Sequence, residues 1–188
     1  MSGCFMSGLS GLTRLLAGFA LAALIAAPAE ARVSVPWIGQ KNSADCGRAV
    51  LASLAARRGG SPEAIYRRIP DPADTTRGYS INELRRVGSR VGVGLSVRAP
   101  TGVVIAGSCG ASPAVDNHFA ALAKIVNGGR PVVVPVSAGF GMGHYLILTG
   151  ASGGSFAVLD PASPGERSMS AADLRSRMCG YGFVALVN

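Results

Sequence analysis

The stretch Gln40-Lys41-Asn42-Ser43-Ala44-Asp45-Cys46-Gly47, followed at once by the apolar run Arg48 to Arg58, constrains this chain more than any other. Within the run Val50, Leu51, Leu54 and Ala55 recur at helical spacing and present one apolar face. Asp45 suits the N-cap, Arg57 and Arg58 suit the last turn, and Gly59 suits the position just past the end. The spacing predicts a helix whose first residue is Cys46. The unpaired N–H groups and the positive dipole end at that position favour a thiolate, the nucleophilic form of cysteine. The commoner use of a lone cysteine is as a small buried hydrophobe, so this placement alone assigns it no function.

A second pattern lies far down the chain. Gly141-Met142-Gly143-His144-Tyr145 opens an apolar run to Gly150, and Val158-Leu159-Asp160-Pro161 follows. A cysteine with a distant histidine and a carboxylate is the pattern of a Cys/His/Asp triad. The other mature-chain histidine, His118, falls at an expected helix start, where imidazolium is disfavoured, and no Asp-Pro strand follows it. Asp45 and Asp116 read as helix caps rather than acids. A hairpin turning at Gly153-Gly154 sets Asp160 opposite a residue near Leu146 or Ile147. Whether His144 and Asp160 then share a face depends on register, which a slip of one residue inverts.

Gln40 with Asp45-Cys46-Gly47, then Gly143-His144-Tyr145, then Asp160-Pro161 resembles the signature of the bacteriocin-processing, double-glycine cysteine peptidases, the C39 group with a papain-like fold. Thr76 to Leu84 resembles that family's segment between nucleophile and histidine. The resemblance spans about Val35 to Asp160 and implies an α+β fold, with N-terminal helices packed on a C-terminal antiparallel sheet. It implies Cys46 as nucleophile, His144 as base and Asp160 as the group that orients it. It further implies that the Gln40 side-chain amide joins the Cys46 backbone N–H in an oxyanion hole. The implied activity is hydrolysis of a peptide or protein substrate, after Gly-Gly, through a thioester acyl-enzyme and with no cofactor or metal. Two other functions fit the same residues: a cell-wall (peptidoglycan) amidase of the papain-like class, and a non-catalytic binding module on the C39-like fold. Asp-Cys-Gly rather than Asp-Cys-Ser, the upstream glutamine and the long Cys-to-His separation weigh against the amidase. The internal double glycines Gly59-Gly60, Gly128-Gly129 and Gly153-Gly154 read as helix ends and a turn, not as self-cleavage sites.

Residues 1–31 read as a cleaved secretory signal peptide. Arg14 supplies a basic n-region, Leu15 to Ala27 the apolar core, and Ala29-Glu30-Ala31 a small-x-small cleavage site. Cys4 precedes the apolar core and leaves with it. Residues 32–188 then form one peptidase domain, expected to be periplasmic or secreted and without a transmembrane segment after cleavage. The formal charge of the 188-residue chain is +8. Such a surface is drawn peripherally to anionic envelope polymers, although basic composition also serves solubility alone. Aromatic content of 6% and the lack of an aromatic-interleaved basic patch argue against nucleic acid.

Three cysteines remain after residue 31: Cys46, Cys109 and Cys179. With Cys46 kept free, as the resemblance implies, Cys109 pairs with Cys179 in an oxidising compartment. The alternative is that Cys46 itself is bridged, as a redox lock. No C-x-x-C occurs, so neither a zinc nor a dithiol redox site is expected.

The remaining elements follow local signals. Ser61-Pro62 opens a second helix, stopped by Pro70. Ser80-Ile81-Asn82-Glu83 is a capping box for a third helix, with Leu84, Val87 and Val91 inward. Leu95 to Val97 and Gly102 to Ala106 are strand-like, and Gly107 to Val115 reads as a loop and an insertion. A fourth helix, capped by Asp116, is expected from His118 to Asn127. Strands are expected over Pro131 to Ser137, with Pro135 at an edge or bulge, over His144 to Thr149, and over Ser155 to Leu159. A short helix from Ser170 to Met178 and a strand from Phe183 to Val187 close the chain.

Overall fold

The structure is a computed structural model, and it describes residues 32–101, 109, 112–139 and 142–188. The signal-peptide reading and the strand expected over Gly102 to Ala106 lie outside the described residues. Alternation along the apolar strands divides the core in two. Val133, Tyr145, Ile147 and Leu159 point to one face of a sheet, and Val134, Leu146, Leu148 and Val158 to the other. The sheet has six antiparallel strands: β1 (Ser96–Arg98), β2 (Val132–Gly139), β3 (Met142–Ser152), β4 (Ser155–Leu159), β5 (Glu166–Ser170) and β6 (Ala185–Val187). Their spatial order is β1-β6-β2-β3-β4-β5. The first face is covered by α1 (Cys46–Ala56), α2 (Pro62–Arg68) and α3 (Ile81–Arg90). The second is covered by α4 (Pro113–Asn127) and α5 (Ala171–Met178). The architecture is α+β, with helices on both faces of the sheet rather than on one.

Most elements form where local chemistry places them. Ser61 caps α2, with Pro62 at its first position, and Ser80 caps α3 by accepting from Glu83 N at 3.2 Å. Only half of the expected capping box is made, because the Glu83 carboxylate turns outward to accept from Ala73 N at 2.9 Å. Gly153 and Gly154 form a two-residue turn, and both have positive φ (51° and 79°), as a tight hairpin requires. Pro135 pairs with Tyr145 of β3. On its other side β6 reaches only Val132 and Val133, so the proline sits at a local edge.

Four expectations are corrected. First, α1 buries residues on every side, not on one apolar face, because its alanines and Ser53 let loops and helices close around it. It also ends at Ala56, and Arg57 and Arg58 turn away to cap the Ser34 and Gly92 carbonyls. Second, Asp45 stands at the N-cap of α1, but its side chain makes no cap bond. It is buried, and it accepts from the Tyr66 hydroxyl of α2 at 2.7 Å. Third, α4 starts at Pro113, capped by Ser112, and not at His118. The same Ser-Pro signal opens α2, and it outcompetes Asp116, which pairs instead with Arg175 of α5. The last residues of the expected 107–115 loop are therefore helical. Fourth, β5 went unforeseen because Glu-Arg-Ser-Met-Ser has no apolar alternation, and an edge strand half open to solvent needs none.

The Cys109–Cys179 disulfide is formed and Cys46 is free. The bridge spans 70 residues, which the chain-entropy model equates to about 4 kcal/mol. The strongest packing test is Leu51, fully buried at the centre of α1. Leu51→Ala is expected to lower unfolding free energy by about 2–5 kcal/mol in a denaturant titration.

Candidate active site

Cys46 is the first residue of α1, buried beneath a cleft of about 600 Å³. His144 of β3 lines the same cleft. Asp160 follows β4 directly, and its Oδ1 accepts from His144 Nε2 at 2.7 Å. The nitrogen facing Asp160 is thus fixed, and Nδ1 is left for the cysteine.

A bulge brings His144 and Asp160 to one side of the ladder. From the turn pair Ser152 with Ser155, an uninterrupted ladder would set Asp160 opposite Ile147, on the face away from His144. Instead the register shifts between Leu148 and Gly150, and Thr149 is the unpaired extra residue. Leu159 then pairs with Ile147, and Asp160 continues opposite Leu146, which shares its side with His144. Thr149 is fully buried and tied in three directions. Its hydroxyl contacts the Ala157 carbonyl at 3.2 Å and Glu166 Oε2 at 2.5 Å, and its carbonyl accepts from Val33 N at 2.6 Å.

The Asp160 corner is held on all sides. Ala162 N donates to Oδ1 at 2.8 Å and Arg167 Nη2 of β5 donates to Oδ2 at 2.5 Å. Trp37 Nε1 donates to the Asp160 carbonyl and Gln40 N to the Pro161 carbonyl, both at 2.9 Å. These two bonds strap the segment before α1 onto the corner that carries the carboxylate. Burial pushes the Asp160 carboxyl up, but the His144 and Ala162 hydrogen bonds and the His144 and Arg167 charges outweigh it and hold it below its ordinary value. Burial alone would depress His144. The Asp160 hydrogen bond and the adjacent Cys46 sulfur overcome this and push it up to about 9.

No protein-family model matches the sequence, and no curated protein sequence matches it. Solved structures do match. The double glycine motif protease from an AMS/PCAT transporter, in complex with the leader peptide, superposes with a TM-score of 0.56 at 18% identity, over 82% of this chain and 91% of that one. The peptidase domain of Streptococcus ComA, a bi-functional ABC transporter in a quorum-sensing pathway, gives 0.55 at 21% identity, over 79% and 93%. A C39-like peptidase from Bacillus anthracis gives 0.54 at 16%, over 82% and 94%. The chain has the papain-like fold of the C39 peptidases.

On this C39-type fold, His144 is hydrogen-bonded to Asp160 and lines one cleft with Cys46. Gln40 is anchored beside them through Pro161, and its Nε2 donates to the Asn42 carbonyl at 3.0 Å. His118 lies apart, buried in the second core of α4, where burial lowers its pKa. Sequence reasoning missed Arg167 and Trp37, which fasten Asp160, because neither stands in a recognisable spacing. It also missed Tyr181, which lines the cleft from the C-terminal segment.

Because the folded-state pKa of His144 lies above its ordinary 6.5, its stabilising contribution is complete below about pH 6.5 and is lost as pH rises through about 9. Asp160 behaves oppositely: its contribution is present above its ordinary 3.8 and is lost as pH falls through the lower folded value. Thermal unfolding across pH should show a wild-type midpoint that falls between pH 6.5 and about 9. The decline should be shallower in His144→Gln, and an unchanged slope would contradict the assignment.

Proposed function

We propose that the chain is an exported cysteine peptidase that hydrolyses peptide bonds through Cys46, His144 and Asp160. The supporting observation is the 2.7 Å His144–Asp160 pair sharing one cleft with a cysteine at a helix N-terminus. The Cys46 thiolate attacks the substrate carbonyl carbon, a C–S bond forms and the carbonyl oxygen becomes an oxyanion. The Cys46 backbone N–H and the second N–H of the Gln40 amide stabilise that oxygen. His144, as imidazolium, protonates the departing nitrogen as the C–N bond breaks and a thioester remains. It then takes a proton from water, whose oxygen attacks the thioester, and the C–S bond breaks to return the thiolate. Asp160 holds the ring tautomer and offsets its positive charge throughout.

The leader-peptide complex of the AMS/PCAT transporter protease favours a peptide substrate with a Gly-Gly site. The signal-like residues 1–31 favour a periplasmic or secreted location, so the substrate is met after export. A peptidoglycan amidase uses the same chemistry and remains the rival substrate class.

Hydrolysis of Gly-Gly peptides and release of fragments from purified peptidoglycan, measured side by side, test this function. Peptide cleavage is expected, with Cys46→Ala inactive and Gln40→Ala slowed by about 100- to 1000-fold in kcat. Peptidoglycan turnover without peptide cleavage would identify an amidase. No hydrolysis of either substrate by the wild-type protein, with unimpaired biological activity of a Cys46→Ala variant, would identify the binding-module function instead.

A further inference from the structure

Three tyrosines line the cleft beside Cys46 and His144, and their hydroxyls differ in use. The Tyr79 hydroxyl donates to the Pro70 carbonyl, and the Tyr145 hydroxyl to the Tyr79 carbonyl at 3.0 Å. Both are committed to holding the cleft wall. The Tyr181 hydroxyl makes no hydrogen bond among the described residues. It lies over Gly143, the residue next to His144, and a Cβ at position 143 would meet its oxygen at 2.5 Å. Only glycine admits that approach, so the absence of a side chain at Gly143 lets an uncommitted O–H donor reach the nucleophile's surroundings. Burial, and then the charge of Cys46, raise the Tyr181 pKa, so the phenol stays protonated and able to donate.

Tyr181 comes to the cleft from the opposite core. It closes the 3-10 turn Cys179–Tyr181, and that turn is fixed at both ends. At one end Cys179 is bridged to Cys109. At the other stands Phe183, the one described non-glycine residue with positive φ (57°). A bulky residue held there costs about 1–3 kcal/mol and persists only where its surroundings over-determine it. Here they do: the Phe183 ring is fully buried edge-on to Phe119, and its backbone N–H donates to the Met178 carbonyl at 3.3 Å. A strained residue and a covalent bridge together hold one short turn whose only cleft-lining side chain is Tyr181.

We propose that Tyr181 contacts the substrate, its hydroxyl donating to a peptide carbonyl beside the scissile bond, and that the Cys109–Cys179 disulfide positions it. The proposal rests on the peptidase function above. It adds a donor that Cys46, His144, Asp160 and Gln40 do not supply, and it gives the disulfide a part in activity besides stability.

The test compares kcat and KM for a fluorogenic Gly-Gly peptide among wild type, Tyr181→Phe, Cys109→Ser/Cys179→Ser and the triple variant. The rate of Cys46 alkylation by iodoacetamide and the Tm are measured on the same samples. Tyr181→Phe is expected to lower kcat/KM about tenfold or more, with Tm and alkylation rate unchanged. The cysteine-pair variant is expected to lose a similar factor, and adding Tyr181→Phe to it is expected to cost little further, because both act through one hydroxyl. Wild-type-like activity of Tyr181→Phe overturns the proposal while leaving the peptidase function standing. Losses that multiply in the triple variant, or a cysteine-pair variant that fails to fold, overturn the positioning role of the disulfide. Wild-type protein that alkylates at Cys46 yet cleaves no peptide overturns the peptidase function, and the Tyr181 proposal with it.

Discussion

One extra residue in β3 governs the rest of the site. Thr149 has no partner across the ladder, and this single insertion moves Asp160 from the side of Ile147 to the side of His144. A side-chain period of two makes the change all or none. An isolated bulge would anneal out if the ladder could slide. This one cannot, because the Thr149 hydroxyl is bound to β4 and β5 and its carbonyl to Val33. Arg32 closes the same cluster by pairing with Glu166 at 2.6 Å. The segment just after the expected signal-cleavage point therefore helps to fix the register on which the His144–Asp160 pair depends.

The electrostatics follow from that placement. Asp160 is almost fully buried, and an unpaired carboxylate there would be strongly unfavourable. His144 and Arg167 approach it from different strands, one oxygen each, and the Ala162 amide adds a neutral donor. The carboxylate can thus stay ionised and hold the imidazole ring in one orientation. The second buried carboxylate, Asp45, sits beside Cys46 but is turned to the Tyr66 hydroxyl. It therefore links α1 to α2 and does not compete for His144.

The two cores divide the work. The first surrounds α1 and carries Cys46. The second, beneath α4 and α5, delivers the turn that bears Tyr181 and the cysteine of the disulfide. Elements with a local signal were readable from the chain: the apolar run gives α1, Ser61 and Ser80 cap α2 and α3, and Gly153-Gly154 turns the β3–β4 hairpin. Those that depend on neighbours were not. β5 is polar because it lies at an edge, α4 begins early because Ser112-Pro113 outranks Asp116, and α1 is buried all round because other segments wrap it.

The sequence by itself determined the residue types and their order: a cysteine opening an apolar helix, a histidine opening a strand, an aspartate closing the next strand, and a glycine pair that makes them a hairpin. These are local properties, set by spacing, caps and turn residues. Only the tertiary structure decided which residues meet. The bulge at Thr149, the strap from Trp37 and Gln40, the Arg167 contact and the approach of Tyr181 over Gly143 all join residues far apart in the chain. No local spacing encodes them, because each depends on register and on the packing of whole layers rather than on the chain's immediate preference.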